Sequence, residues 1–171
     1  MVFWICVTLV FGWLVRERLE LNRLLRVLTT RVHVFGTRGK TTTTRLLAAL
    51  FRQNGRTVLG KISGDTPLLI FPDGTEMPLN RRGPANVREY VSCLRRAARS
   101  GCDTVVFECM ALSPETVVAA TGFLKPTHAL ITNTRPDHHE TMGRTPGEIA
   151  ATLALAARGA DAPALASVNS V

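Results

Sequence analysis

Residues 31–55 read RVHVFGTRGKTTTTRLLAALFRQNG, and three backbone regimes follow one another within them. RVHVF is apolar and β-branched, the composition of a buried strand. Gly36-Thr37-Arg38-Gly39 has the glycines of a tight turn. From Thr41 to Asn54 the side chains suit a helix, and Gly55 is a stop signal after it. A strand, a glycine-rich turn and a helix in immediate succession form the opening unit of an α/β domain with a parallel sheet.

The same six residues, Gly36-Thr37-Arg38-Gly39-Lys40-Thr41, carry the strongest chemical signal. Glycines let the chain curl so that successive N–H groups face inward, and the helix that follows adds the positive end of its dipole. A polyphosphate fits such a nest. Lys40 supplies a mobile charge for the terminal phosphates, and the Thr41 hydroxyl can ligate a bridging magnesium. The first glycine of the general G-x-x-x-x-G-K-S/T pattern would fall on Val34, so this is the shorter GTxGKT form. Gly36, Thr37, Arg38, Gly39, Lys40, Thr41 and Thr42 are the expected phosphate-binding residues, with ATP and Mg2+ as cofactors.

Downstream, TVLGKI predicts a second strand, and Thr66 to Leu79 a hairpin-like excursion turning at Pro72-Asp73-Gly74. Val87, Val91, Leu94 and Ala98 recur at helical spacing between Asn86 and Ser100. TVVFECMAL reads as a buried strand, Pro114 opens a short helix, HALITN is a further strand, and a helix runs from about Pro146 to Ala157. The closing residues GADAPALASVNSV show no period and read as frayed or truncated. The expected fold is a three-layer α/β domain of the P-loop type with a mainly parallel sheet.

Upstream, VFWICVTLVFGWLV, residues 2–15, carries no charge, and Trp4 and Trp13 near its ends suit a headgroup level. At fourteen residues it is short for a spanning helix, which needs roughly 17 to 25. A buried or interfacial helix is the other reading of it. Arg16, Arg18, Arg23, Arg26 and Arg31 follow, placing much of the Arg excess directly after the apolar run. By the positive-inside rule that arrangement predicts a single N-terminal membrane anchor with the remainder in the cytosol. The division expected is 1–30 for anchor and Arg-rich linker, and 31–171 for an ATP-binding domain incomplete at its C-terminus. Nucleic acid is not an expected partner, because basic residues are not interleaved with aromatics and only one Tyr and two Trp are present. Cys6, Cys93, Cys102 and Cys109 lack zinc-site spacing and read as core thiols.

Glu108 ends an apolar strand, where a carboxylate is costly to bury unless it faces a cation or a cleft. A capped structural carboxylate is the alternative. Asp137, His138, His139 and Glu140 form a polar cluster after HALITN that spacing alone does not separate from a solvated loop.

Taken together, GTRGKTTTTRLL, VVFECMALSPE, ITNTRPDHHETMG and the Gly83–Asn86 GPAN segment resemble the Mur ligase family, and within it the poly-γ-glutamate synthase ligase type (PgsB/CapB). The resemblance implies an ATP-dependent acid–amino acid ligase working through an acyl phosphate, with a glutamate or polyglutamate substrate and partner subunits of a membrane synthase. It implies Thr41, Glu108 and His138 as metal ligands, and Lys40, Glu108 and His138 as the catalytic set. It also implies an adenine-contacting region and a C-terminal domain beyond this length, so that another chain completes the site or the chain is a shortened or nonfunctional relative. Two other readings share the loop: a P-loop kinase or NTPase, whose second metal anchor would be an Asp at a strand end, and a nonenzymatic nucleotide-binding subunit of a membrane assembly.

Overall fold

The computed structural model describes the chain except at positions 65, 82, 84–85, 111–112, 136–144 and 166–171. Its elements run α1 (Val2–Val27), β1 (Thr30–Phe35), α2 (Lys40–Gln53), β2 (Val58–Ile62), β3 (Leu68–Ile70), β4 (Glu76–Pro78) and α3 (Glu89–Arg99). β5 (Thr104–Glu108), α4 (Pro114–Leu124), β6 (His128–Ile131), α5 (Pro146–Ala157) and β7 (Ala162–Leu165) complete it. The strands form one sheet in the order β4-β3-β2-β5-β1-β6-β7. β2, β5, β1, β6 and β7 run parallel, and β3 and β4 add an antiparallel edge.

The parallel strands are apolar on both sides because helices cover both faces. Val32, Val34, Val58, Ile62 and Val106 pack with Ala48 of α2 on one face. Phe35, Leu59, Val105, Phe107 and Ala129 point the other way, onto a layer that includes Leu94 of α3, Val117 and Ala120 of α4 and Ile149 and Leu153 of α5. Phe107 is fully buried, and its transfer from water contributes about 2–3 kcal/mol. The expected mainly parallel α/β sheet is thus observed. Both α4 and α5 open on a capping box with Pro in the first turn: Ser113 accepts from the Thr116 N–H, and Thr145 from the Glu148 N–H.

Three expectations change. The membrane anchor through residues 2–15, and the cell-membrane placement built on it, do not stand: among the described residues no helix is long and apolar enough to cross a membrane. The apolar run continues without a break into the Arg-bearing stretch as one 26-residue helix, and an 18-residue window from its start already takes in Arg16, Glu17 and Arg18. The far half of α1 packs into the domain, with Leu21, and Leu28 just past its end, in the core and Glu20 paired to Arg95 of α3 at 2.6 Å. Secondly, Arg31 is a clamp: it donates to the Leu25 and Leu28 carbonyls at 3.1 and 2.7 Å, and to the Lys125 carbonyl at 2.7 Å. These are orphan carbonyls at the ends of α1 and α4. Thirdly, the stretch read as frayed contains β7, paired to β6 from His128↔Ala162 to Ile131↔Leu165. Of the cysteines, Cys93, Cys102 and Cys109 are buried and Cys6 is exposed.

Candidate functional site

β1 delivers the chain to the C-terminal edge of the sheet at its centre, between β5 and β6. The connection through α2 leads to β2 on the β5 side, whereas β6 lies on the other flank of β1, so the loop after β1 sits where the strand order reverses. Ligands of open parallel sheets bind at such a point.

The loop requires its first glycine. Gly36 has φ +122°, and a Cβ there would come 2.1 Å from Thr132 Oγ1. Thr132 sits against it because its hydroxyl reaches the Phe35 and Arg38 carbonyls at 3.1 and 2.7 Å. Asn133 completes the brace: its Oδ1 accepts from Thr37 Oγ1 at 2.5 Å and from the Arg38 N–H at 3.3 Å, and its Nδ2 donates to the Arg38 carbonyl at 2.8 Å. Gly39, at φ +79°, is the N-cap of α2 and has open space where a Cβ would stand. Thr37 is buried within the loop, while Arg38 and Thr42 are exposed. Lys40 folds back across the turn, its Nζ donating to the Gly36 carbonyl at 2.7 Å and the Thr37 carbonyl at 3.2 Å. An ammonium held by two neutral carbonyls beside the start of α2 can turn to a phosphate without breaking an ion pair.

The neighbouring strand brings the carboxylate. β1 and β5 pair with Val34 opposite Glu108, and the strand alternation that buries Val106 against α2 turns Glu108 to the same face. Glu108 is 3% exposed. Its two carboxylate oxygens lie 3.3 and 3.2 Å from Thr41 Oγ1. Cis ligands of an octahedral magnesium at about 2.0–2.1 Å stand roughly 3 Å apart, so this pair fits the edge of such a coordination shell. Among the described residues no three His, Cys, Asp or Glu side chains converge. His138, with Asp137, His139 and Glu140, lies outside the described residues.

Sequence reasoning missed Ser63 and the role of Thr132. Ser63 follows β2; its N–H donates to Glu108 Oε2 at 3.0 Å and its hydroxyl to the Glu108 carbonyl at 2.9 Å. A lone serine after a strand gives no signal by itself. On the opposite sheet face, His33, Tyr90 and Lys61 are all fully buried. His33 Nε2 is 3.0 Å from the Tyr90 hydroxyl. Burial, reinforced by the Lys61 charge, lowers the His33 pKa to about 3. Burial also pushes the Tyr90 phenol well up and the Lys61 ammonium down. His33 is therefore a neutral core residue, as its position within a strand suggests. Two sites far apart in the sequence are thus brought together: the glycine loop with Lys40 and Thr41, and the strand-ending Glu108.

The family model described as the Mur ligase middle domain matches residues 34–164. The chain is 34% identical over 148 residues to PGA synthase CapB of Bacillus subtilis (strain 168), an alignment covering 84% of this chain and 37% of that protein. In fold it is similar to MurF from Acinetobacter baumannii, with a TM-score of 0.60 at 16% identity over 84% of this chain and 27% of that one. It is likewise similar to a bifunctional folylpolyglutamate synthase/dihydrofolate synthase from Yersinia pestis complexed with AMPPNP and Mn ion. There the TM-score is 0.58 at 18% identity, over 85% of this chain and 43% of that one. The chain spans under half the length of the curated relatives it matches.

Proposed function

The chain belongs to the Mur ligase family, of the CapB type, and on that premise we propose that it is the nucleotide-binding part of an ATP-dependent carboxylate–amine ligase acting in poly-γ-glutamate synthesis. One observation carries the reading: the Thr41 hydroxyl, in the first turn after a phosphate-shaped loop, faces the buried Glu108 carboxylate at a spacing suited to a shared divalent ion.

In this reading the loop from Gly36 to Thr42 receives the polyphosphate of ATP, with backbone N–H groups and the start of α2 meeting its charge. Lys40 leaves the Gly36 and Thr37 carbonyls for the terminal phosphate. Thr41 and Glu108 hold Mg2+, and His138 is proposed as a further ligand. Bound there, the cation neutralises charge on the transferring phosphoryl group. Attack by a glutamate or polyglutamate carboxylate oxygen on the γ-phosphorus breaks its bond to the ADP oxygen and gives an acyl phosphate and ADP. The amine of the next amino acid then attacks the acyl carbon, expels phosphate and loses a proton, leaving the amide. Lys40 and the amide nest work by holding the phosphoryl group in line and offsetting its charge. The names of the relatives, PGA synthase and folylpolyglutamate synthase, support a glutamate-type substrate.

Lys40→Ala should abolish ATP turnover in a preparation competent for amide formation; product formed at the parental rate would rule the assignment out. Release of ADP and phosphate that depends on an added amino acid separates a ligase from a kinase or an NTPase, which share the loop but not the amine dependence.

A further inference from the structure

We propose that Lys61 is a positioning residue for the divalent-ion carboxylate Glu108, acting through Ser63; the inference rests on the nucleotide and metal reading of the loop given above.

The sheet separates two sets of polar groups. Glu108 lies on the α2 face. Lys61 of β2 points to the α3 face, in a row with Phe107 and His33, since Lys61 pairs with Phe107 and His33 with Phe107 in the parallel register. A lysine that is completely buried in an apolar layer needs a reason, because removing an ammonium from water is costly unless it is paired and hydrogen-bonded. The surroundings supply partners of two kinds. Glu89, at the start of α3, lies 3.5 Å from Nζ, and Tyr90 presents its ring 5.2 Å away. Arg81 already holds Glu89, donating to its two carboxylate oxygens at 2.7 and 3.2 Å. Glu89 therefore has a cation without Lys61, and a lysine is not required here merely to neutralise it.

The shortest bond Lys61 makes is to Ser63. Nζ donates to Ser63 Oγ at 2.6 Å, and that hydroxyl in turn donates to the Glu108 carbonyl while the Ser63 N–H holds Glu108 Oε2. Ser63 stands beyond the end of β2, where the two faces of the sheet meet at its edge. The chain of contacts thus runs from Arg81 and Glu89 through Lys61 and Ser63 to both the backbone and the carboxylate of Glu108. A hydroxyl that accepts from an ammonium is a stronger donor, so the bond from Lys61 tightens the bond from Ser63 to Glu108. Groups that orient a metal ligand in this way change metal affinity by about 10- to 100-fold when removed.

The test is calorimetric titration of the full chain with AMPPNP, with and without Mn2+, and with Mn2+ alone followed by its paramagnetic resonance signal. Lys61→Met keeps the stem and leaves Glu89 its arginine. It should weaken the Mn2+-dependent part of binding about 10-fold while metal-free nucleotide affinity stays at the parental value. Ser63→Ala should lose at least as much, and the double variant no more than Ser63→Ala alone, because the effect travels through that hydroxyl. If Lys61→Met does not fold, Lys61→Gln takes its place under the same criteria. Unchanged Mn2+ dependence, additive losses in the double variant, or equal losses with and without metal would each overturn the proposal. A parental chain that binds no nucleotide would sink the functional reading and this inference with it. Parental binding with variants indistinguishable from it would sink this inference alone.

Discussion

At the scale of single residues, the loop owes its shape to a pair that is not adjacent in the chain. Gly36 is needed because of Thr132, the residue just past the neighbouring strand β6, whose hydroxyl occupies the space a Cβ would fill. Gly39 has equally unusual backbone angles but nothing beside it. The two glycines should therefore respond differently to alanine. Gly39→Ala meets left-handed strain alone, about 1–2 kcal/mol. Gly36→Ala adds a collision that pushes Thr132 off the Phe35 and Arg38 carbonyls, and its total cost should exceed that of Gly39→Ala by about 1 kcal/mol or more, the worth of one such hydrogen bond. Urea denaturation of the two variants compares them directly, and equal midpoints would contradict the role given to Thr132. The importance of Gly36 was legible from its place between strand and helix. Its partner was not, because Thr132 sits ninety-odd positions away and only the β1–β6 register brings it near.

At the scale of elements, those with a strong local pattern are legible in the sequence, and those that depend on a neighbour are not. β1, α2, the β3–β4 excursion and α5 follow from composition and stop signals, since each has a strong local pattern. β7 was missed because Ala162-Pro163-Ala164-Leu165 has neither alternation nor β-branched residues; it is a strand because β6 offers an unpaired edge. The change of charge pattern at Arg16 suggests an apolar segment plus a linker, but a helix does not end where hydropathy changes unless a breaker stands there, and α1 runs on to Val27. Its far half is instead retained by packing. Leu28, just past the helix end, is fully buried in the main core, so Leu28→Ala should cost about 2–5 kcal/mol. Loss within the error of a chemical denaturation curve would mean that α1 is not an integral part of the domain.

At the scale of the whole molecule, the division of the sheet into two faces governs where charge is tolerated. The α2 face carries the loop and Glu108 at its edge, which is the part of the site a sequence can announce through glycines and a strand-ending carboxylate. The opposite face hides His33, Lys61 and Tyr90 among aromatic side chains, and nothing in the linear order of these residues discloses that they meet. Their burial has a global consequence. His33 titrates near 6.5 in the unfolded chain and at about 3 in the folded one. Its folded pKa is depressed, so the stability it allows is fully present above pH 6.5 and is lost as pH falls toward 3, because the unfolded state takes up a proton that the folded core refuses. The carboxylates Glu20 and Glu76 are also held low, by hydrogen bonds from Arg95 and Arg45. Their ordinary value is 4.5, so most of their loss falls below pH 5, and among the described residues the window from pH 7 to 5 is carried mainly by His33. Over it the unfolding free energy should fall by about 2 kcal/mol. His33→Gln, which keeps a polar partner for the Tyr90 hydroxyl but cannot be protonated, should flatten that slope. A slope that persists unchanged in the variant would show that another group carries it and that His33 is not neutral in the fold for the reason given.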